Sequence, residues 1–464
     1  MKNTFWNYTI VYGLGFLLLR GISFFLLPLY TNLLSQYDGG IIFLVYTILA
    51  FLNPIYAYGM NASLFKFYND DSLDSKSVLS TSFVSLFASS SLITIFLILI
   101  ADNINGFISE KPTVNWFLFL ALILFADSIS SRVFALLRLA QRPFYFLGVG
   151  LLNIILSVSL NYYLIKVFHL GVFGALLSLL VVAFVQMCVL LPFIFSCVSL
   201  FYFNLSLFKK MLRFAVPFLP SALLFIIMGF SDRWFIKYFL NTESVGLYGA
   251  GHKLGSIMSL AVTAFNLNWQ PYYLKFKSNK NNRFGSIGSL VIVSLITILT
   301  LLLYFINDIS LIHFNGLYLI GENFRSGLVV VPFVALGYLF YGIYVLQMPS
   351  IFILNKQNWG LCFWVFGAIA NIFGNCILIP RFGFVGAAYS TAISYFVMMG
   401  LLYGCNLFWM PIKYNVVFIL INVLSSLLLL VLKYSFGLSF FAAVLYLFIL
   451  LFCIYRLNKK VIFD

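Results

Sequence analysis

Six ionisable side chains sit inside long apolar runs of this 464-residue chain: Arg20, Asp127, Arg132, Asp232, Arg233 and Lys253, with His252 beside the last of them. A charge within hydrocarbon is expensive, so it persists only where it faces a water-filled cavity, a partner or a ligand. Charges that merely staple helices together should balance. Here four cations meet two carboxylates, and the surplus points to a cavity that attracts an anion. Arginine suits a phosphate group, because its planar fork donates two parallel hydrogen bonds.

Four of these groups, Asp232, Arg233, His252 and Lys253, fall within residues 218–268, which read as two spans joined by a polar turn at 241–244. This pair is expected to line the path of an anionic cargo. Asp127, near the middle of its run, is a candidate ion-coupling group or a structural partner of a nearby arginine. His252 is a candidate proton-coupling group, or a polar residue at a wet helix end. Asn153, Asn161, Asn371 and Asn375 are expected to hydrogen-bond between helices, as amides in membranes do, or to touch the hydroxyls of a sugar.

No catalytic signature accompanies these groups. No Ser/His/Asp order, HExxH or phosphate-binding glycine loop is present, and the three histidines are far apart in sequence. The six cysteines show no metal-ligand spacing. The expectation is a non-enzyme with no metal and no cofactor.

The elements that must position such charges are membrane helices. The chain is 63% hydrophobic and 8% charged, with a mean hydropathy of +1.06, against about 25% charged residues in soluble domains. The apolar runs are continuous over roughly 20 residues, the length that crosses the hydrocarbon layer as a helix, whereas barrel strands would alternate. An all-α polytopic membrane protein of about fourteen spans is expected. The first runs over 5–34, the seventh over 211–239, the eighth over 245–274 and the last over 437–456.

The net charge of +15 follows from loop placement rather than from nucleic-acid binding. With the N-terminus inside, seventeen Lys and Arg lie on the inner side, six on the outer, and four in spans. Both termini are therefore expected in the cytoplasm.

A faint internal repeat divides the chain. LNYYLIKVFHLGVFGALLS (160–178) rhymes with GNCILIPRFGFVGAAYS (374–390), each pairing an Asn with a later Gly-x-x-Gly-Ala. Asp38-Gly39-Gly40 likewise rhymes with Glu243-Ser244-Val245-Gly246. The expected domains are a six-helix half at 1–200, a second at 207–410, and two further helices with a short tail at 415–464.

FLLPLYTNLLSQYDGGIIFLVYTI (25–48) and SDRWFIKYFLNTESVGLYGAGHKL (231–254) resemble the bacterial O-antigen and capsule repeat-unit flippases. These form the polysaccharide exporter family of the multidrug/oligosaccharidyl-lipid/polysaccharide exporter superfamily. Ser-Asp-Arg-x-x-Ile at 231–236 followed by Val-Gly-x-Tyr at 245–248 is the most specific part. The resemblance implies two six-helix bundles in a V-shaped arrangement and alternating access. It implies movement of an undecaprenyl-pyrophosphate-linked oligosaccharide between leaflets of the bacterial inner membrane. Membrane lipids and polysaccharide polymerase machinery are the implied partners, and Arg20, Arg132, Arg233 and Lys253, with Asp232, the implied substrate contacts. A lipid II flippase and an ion-coupled exporter of small molecules are the alternatives, with a membrane enzyme of polysaccharide assembly behind them.

Overall fold

The computed structural model describes residues 21–70, 72–108, 115–274, 281–314, 316–436 and Tyr446. Arg20, with the start of the expected first span, lies outside these residues, as does all of the expected last span except Tyr446. The described chain is helical almost throughout. A two-residue antiparallel ladder, β1 (His313–Phe314) and β2 (Leu317–Tyr318), interrupts it. Among the described residues, ten helices are long and apolar enough to cross a bilayer, and one bent pair can make an eleventh. The protein is a multi-pass α-helical membrane protein.

Two compact units share the chain. The first holds the residues up to Trp234 together with Thr242–Gly246, and the second holds Phe235–Asn241 and the residues from Leu247 onward.

The first unit contains α1 (Leu27–Leu33), α2 (Gln36–Ala57), α3 (Met60–Tyr68), α4 (Ser75–Ile104), α5 (Trp116–Leu139), α6 (Pro143–Asn161), α7 (Gly171–Cys197), α8 (Leu205–Ala215) and α9 (Phe218–Phe230). Ser, Asp and Asn side chains cap the starts of α2, α4 and α8. Ser35 accepts from the Asp38 amide, Asp74 from those of Lys76 and Ser77, and Asn204 from those of Ser206 and Leu207. Between α2 and α3 the chain turns through Tyr58 and Gly59, both with positive φ. Gly59 is required twice over: its φ is +73°, and a Cβ there would run into the Ala215 carbonyl.

The expected seventh span is not one helix. It is the end of α8, then α9 after a 40° bend, then α10 (Asp232–Phe239). Pro217 lies at the bend and Pro220 in the first turn of α9; neither has an N–H to carry helical bonding through. The expected eighth span is likewise two helices, α11 (Thr242–Gly255) and α12 (Ile257–Leu274), parted at Ser256.

Asn161 shows how the first unit is clamped. Its amide donates to the Ser157 carbonyl (2.8 Å) and to Ser178 Oγ (2.7 Å), and its oxygen accepts from the Tyr30 hydroxyl (3.1 Å). One fully buried side chain thus ties α1, α6 and α7 together. Asn161→Leu keeps the branched shape but strands these partners, so it is expected to cost at least about 1–3 kcal/mol. Thermal unfolding in detergent would read this as a lowered midpoint, and an unchanged midpoint would refute the clamp.

The second unit contains the rest of α11, α12, α13 (Asn281–Tyr304), a 3₁₀ segment at Glu322–Val330, α14 (Val331–Gln347), α15 (Gln357–Phe382), α16 (Phe384–Trp409) and α17 (Val416–Phe436). The α15–α16 hairpin turns at Gly383, whose φ is +62°, as α6 turns into α7 at Gly171, φ +52°. The two stretches that rhyme in sequence therefore make matching turns. Lys433 pairs with Asp308 at 3.3 Å and tethers α17 to the chain after α13.

Candidate functional site

Helices α2, α5, α6, α7 and α9 of the first unit, with Ile22, Ser23 and Leu26 ahead of α1, line an open cavity of about 620 Å³. Helix α2 presents Tyr46, Leu49, Ala50, Asn53 and Pro54, which recur at three- and four-residue spacing and so share one face. Pro54 carries no N–H for the Ala50 carbonyl, which leaves that acceptor without its helical donor at the cavity wall. From α6 come Asn153 and Ser157, four residues apart, and from α7 come Leu179, Val182 and Ala183. Helix α9 adds Ala222, Phe225, Ile226 and Phe230 along another such face.

Asp127 of α5 carries the one formal charge among the described residues lining this cavity. It is half-buried. No hydrogen bond or ion pair joins its carboxylate to another described residue. The surrounding polar groups are neutral and partly engaged. Asn153 donates to Gln186, Ser157 donates to Asn153 Oδ1 (3.3 Å), and the Tyr46 hydroxyl shares a hydrogen bond with that of Tyr30 (3.2 Å). A carboxylate among hydroxyls, amides and a freed carbonyl is an oxygen-rich setting for a small cation or a proton.

Arg233 lies beside this cavity. It is 5% exposed, its guanidinium donates to the Gly229 carbonyl (3.2 Å) and sits 5.2 Å from the centre of the Phe230 ring, itself a lining residue. Asp232 precedes it and is fully buried in the first turn of α10.

Arg132 is placed differently. It is 1% exposed and donates to Ser82 Oγ of α4. No carboxylate lies within ion-pair distance of it among the described residues. Its neighbours Val133 and Leu136 belong to the apolar cluster that holds the ends of α3 to α8 together.

His252 and Lys253 belong to the second unit. His252 is buried against the rings of Tyr248 (5.4 Å) and Tyr338 (6.3 Å), and Lys253 is half-buried. Asn371 and Asn375 are also fully buried there, and the Asn375 amide donates to Asn371 Oδ1 (3.1 Å).

Of the residues conspicuous in the sequence, the cavity thus gathers Asp127 and Asn153, while Arg233 packs on the lining residue Phe230. Tyr46, Asn53 and Ser157 join them with no charge to mark them. The signal for the first two is their seven-residue spacing, two helical turns on one face, next to a mid-helix proline.

The family description "Polysaccharide biosynthesis protein" matches residues 5–277. The chain belongs to that family. Its fold is also that of solved transport proteins. A structure described as lipid II flippase MurJ in an inward closed conformation superposes with a TM-score of 0.73 at 14% identity, over 96% of this chain and 99% of that one. An inward-facing multidrug resistance MATE family transporter of the MOP superfamily gives 0.62 at 13%, over 90% and 96%. The Vibrio cholerae MATE transporter VcmN in its bent form gives 0.53 at 13%, over 92% and 98%. No curated protein sequence matches the chain. This member of the polysaccharide biosynthesis family therefore has the helical fold shared by those transporters, and the Asp127 cavity lies within the family-matched part of the chain.

Proposed function

We propose that the protein is a flippase. It moves an oligosaccharide linked to undecaprenyl pyrophosphate, an O-antigen or capsule repeat unit, from the cytoplasmic to the periplasmic leaflet of the bacterial inner membrane. Alternating access between the two repeats of the chain carries the head group while the lipid tail stays in the bilayer. The observation that carries this reading is the fold match to a lipid flippase over 96% of the chain, in a member of a polysaccharide biosynthesis family. Arg20, Arg233 and Lys253 are assigned to the anionic head group, with Arg132 assisting at the inner side, and Asn161, Asn371 and Asn375 hold the helices around it.

The test is complementation of a strain lacking its own O-antigen flippase. The wild-type chain is expected to restore surface polysaccharide and Arg233→Ala to lose it at equal membrane abundance. Full restoration by Arg233→Ala would remove that residue from the site. Failure of the wild-type chain, correctly inserted, would count against this cargo.

A second reading, cation-coupled export of small molecules, draws on the Asp127 cavity, where Asp127 is the one charged side chain among the described lining residues. It predicts dye resistance in a sensitive host that depends on Asp127 more than on the arginines.

A further inference from the structure

Helix α8 has two unlike faces. Leu207, Met211 and Ala215, each four residues apart, are buried. Ser63 Oγ donates to the Met211 carbonyl (3.0 Å), so this face is already seated on α3. Lys209, Lys210 and Arg213 lie on the opposite side and are exposed. Immediately before α8, Phe201 is 99% exposed, and Tyr202 and Phe203 are exposed with it, as is Leu205 at the first position of the helix. Both ends of this aromatic stretch are pinned to α4: the Ser199 amide donates to Ser80 Oγ (3.0 Å) and the Asn204 amide to Thr81 Oγ1 (3.1 Å).

The same end of the first unit collects more cations. One apolar cluster joins α3, α4, α5, α6, α7 and α8 there. Around it Lys66, Lys76, Arg138 and Arg142 are exposed, and Lys66 lies 4.1 Å from the ring centre of Phe214 in α8. The acids described beside these cations, Asp70 and Asp74, are already engaged. Asp74 caps α4, and Asp70 holds Ser72. By itself α8 is too short to cross a membrane; it could do so only as the first part of a bent span with α9. Its exposed cations and aromatic lead-in suit the membrane boundary, with the rings at the depth where rings settle and the cations at the depth of phosphates.

We infer that the segment 199–215 is a docking surface for anionic phospholipid headgroups of the cytoplasmic leaflet. Phe201, Tyr202 and Phe203 enter the boundary between acyl chains and headgroups, and Lys209, Lys210 and Arg213 bind lipid phosphates from the water side. The unit is thereby seated at a set depth, and the protein senses the surface charge of its membrane.

The experiment uses the full-length purified protein in mixed micelles with equal amounts of phosphatidylglycerol and phosphatidylcholine, the retained lipids being counted by native mass spectrometry. The wild type is expected to retain phosphatidylglycerol preferentially. The triple variant Lys209→Gln/Lys210→Gln/Arg213→Gln is expected to lower that preference roughly tenfold. Interchanging the cations, Lys209→Arg/Lys210→Arg/Arg213→Lys, is expected to preserve it. These side chains are exposed, so the thermal midpoint serves as a control for folding. Equal retention of the two lipids by the wild type, or an undiminished preference in the glutamine variant, overturns the inference. So does loss of the preference on adding inorganic pyrophosphate at matched ionic strength, which would mean that the face reads a diphosphate rather than a bilayer. None of these outcomes depends on which cargo is transported.

Discussion

The Asp127→Asn variant is expected to fold as the wild type does and to lose its response to a cation gradient. The carboxylate is the one formal charge among the described residues of a cavity of about 620 Å³. A cation held about 4 Å from a carboxylate gains about 4 kcal/mol at the effective dielectric of a protein site. Desolvation takes back part of this, so cation affinity at the site should fall roughly a hundredfold on removal of the charge. Asparagine has the same shape, and Tyr46, Asn53, Asn153 and Ser157 around it are neutral. Stability should hold or rise, because a half-buried charge with no partner among the described residues is removed. The measurement is uptake into vesicles under an imposed proton or sodium gradient, alongside thermal unfolding. Gradient-dependent transport that survives in the variant would show that the energy enters elsewhere. A collapse of stability would show that the carboxylate is structural.

The second large effect concerns two glycines that the internal rhyme brings face to face. A Cβ on Gly40 would strike the Thr242 carbonyl, and one on Gly246 would strike the Gln36 carbonyl. The contacts are reciprocal: the start of α2 packs on the start of α11, backbone against backbone, with glycine at the equivalent place in each. Small residues permit such close approach between membrane helices. In an ordinary helix interior, Gly→Ala stabilises by up to about 1 kcal/mol. Here the sign should reverse, because the obstacle is a main-chain carbonyl that no rotamer can move. Gly246→Ala is expected to destabilise by about 1–3 kcal/mol, and Gly246→Val by more. Gly404→Ala, where nothing lies within 4 Å of the added atom, is the control and should be neutral or stabilising. Thermal midpoints of the three purified variants decide it. Equal midpoints for the alanine variants at 246 and 404 would mean that the helices separate without cost.

Some of the site is legible in the sequence. Asp127 and Arg233 stand out because a charge within an apolar run is conspicuous on its own. Tyr46, Asn53 and Ser157 do not, because uncharged polar residues are ordinary in membrane helices, and only a shared cavity distinguishes them. Arg132 reads as an interior cation open to cargo. Its guanidinium also meets Ser82, fifty positions away in the chain, a pairing that spacing within one helix does not reveal. Asn161 reads either as a clamp or as a sugar contact. In the fold it is bonded to Tyr30, Ser157 and Ser178.

Hydropathy by itself determined that the chain crosses the membrane many times as helices. That follows from partitioning between water and hydrocarbon, a local property of each run. The rhyme of glycines and asparagines likewise announced two related turns, because the backbone at Gly171 and Gly383 needs a positive φ wherever it sits. Only the tertiary structure decided where the apolar runs break, as at Pro217 and Ser256, and which interior charges share a space. A break depends on what the neighbouring helices will pack against. The surroundings of a charge are set by residues distant in sequence, so neither can be read from one segment at a time.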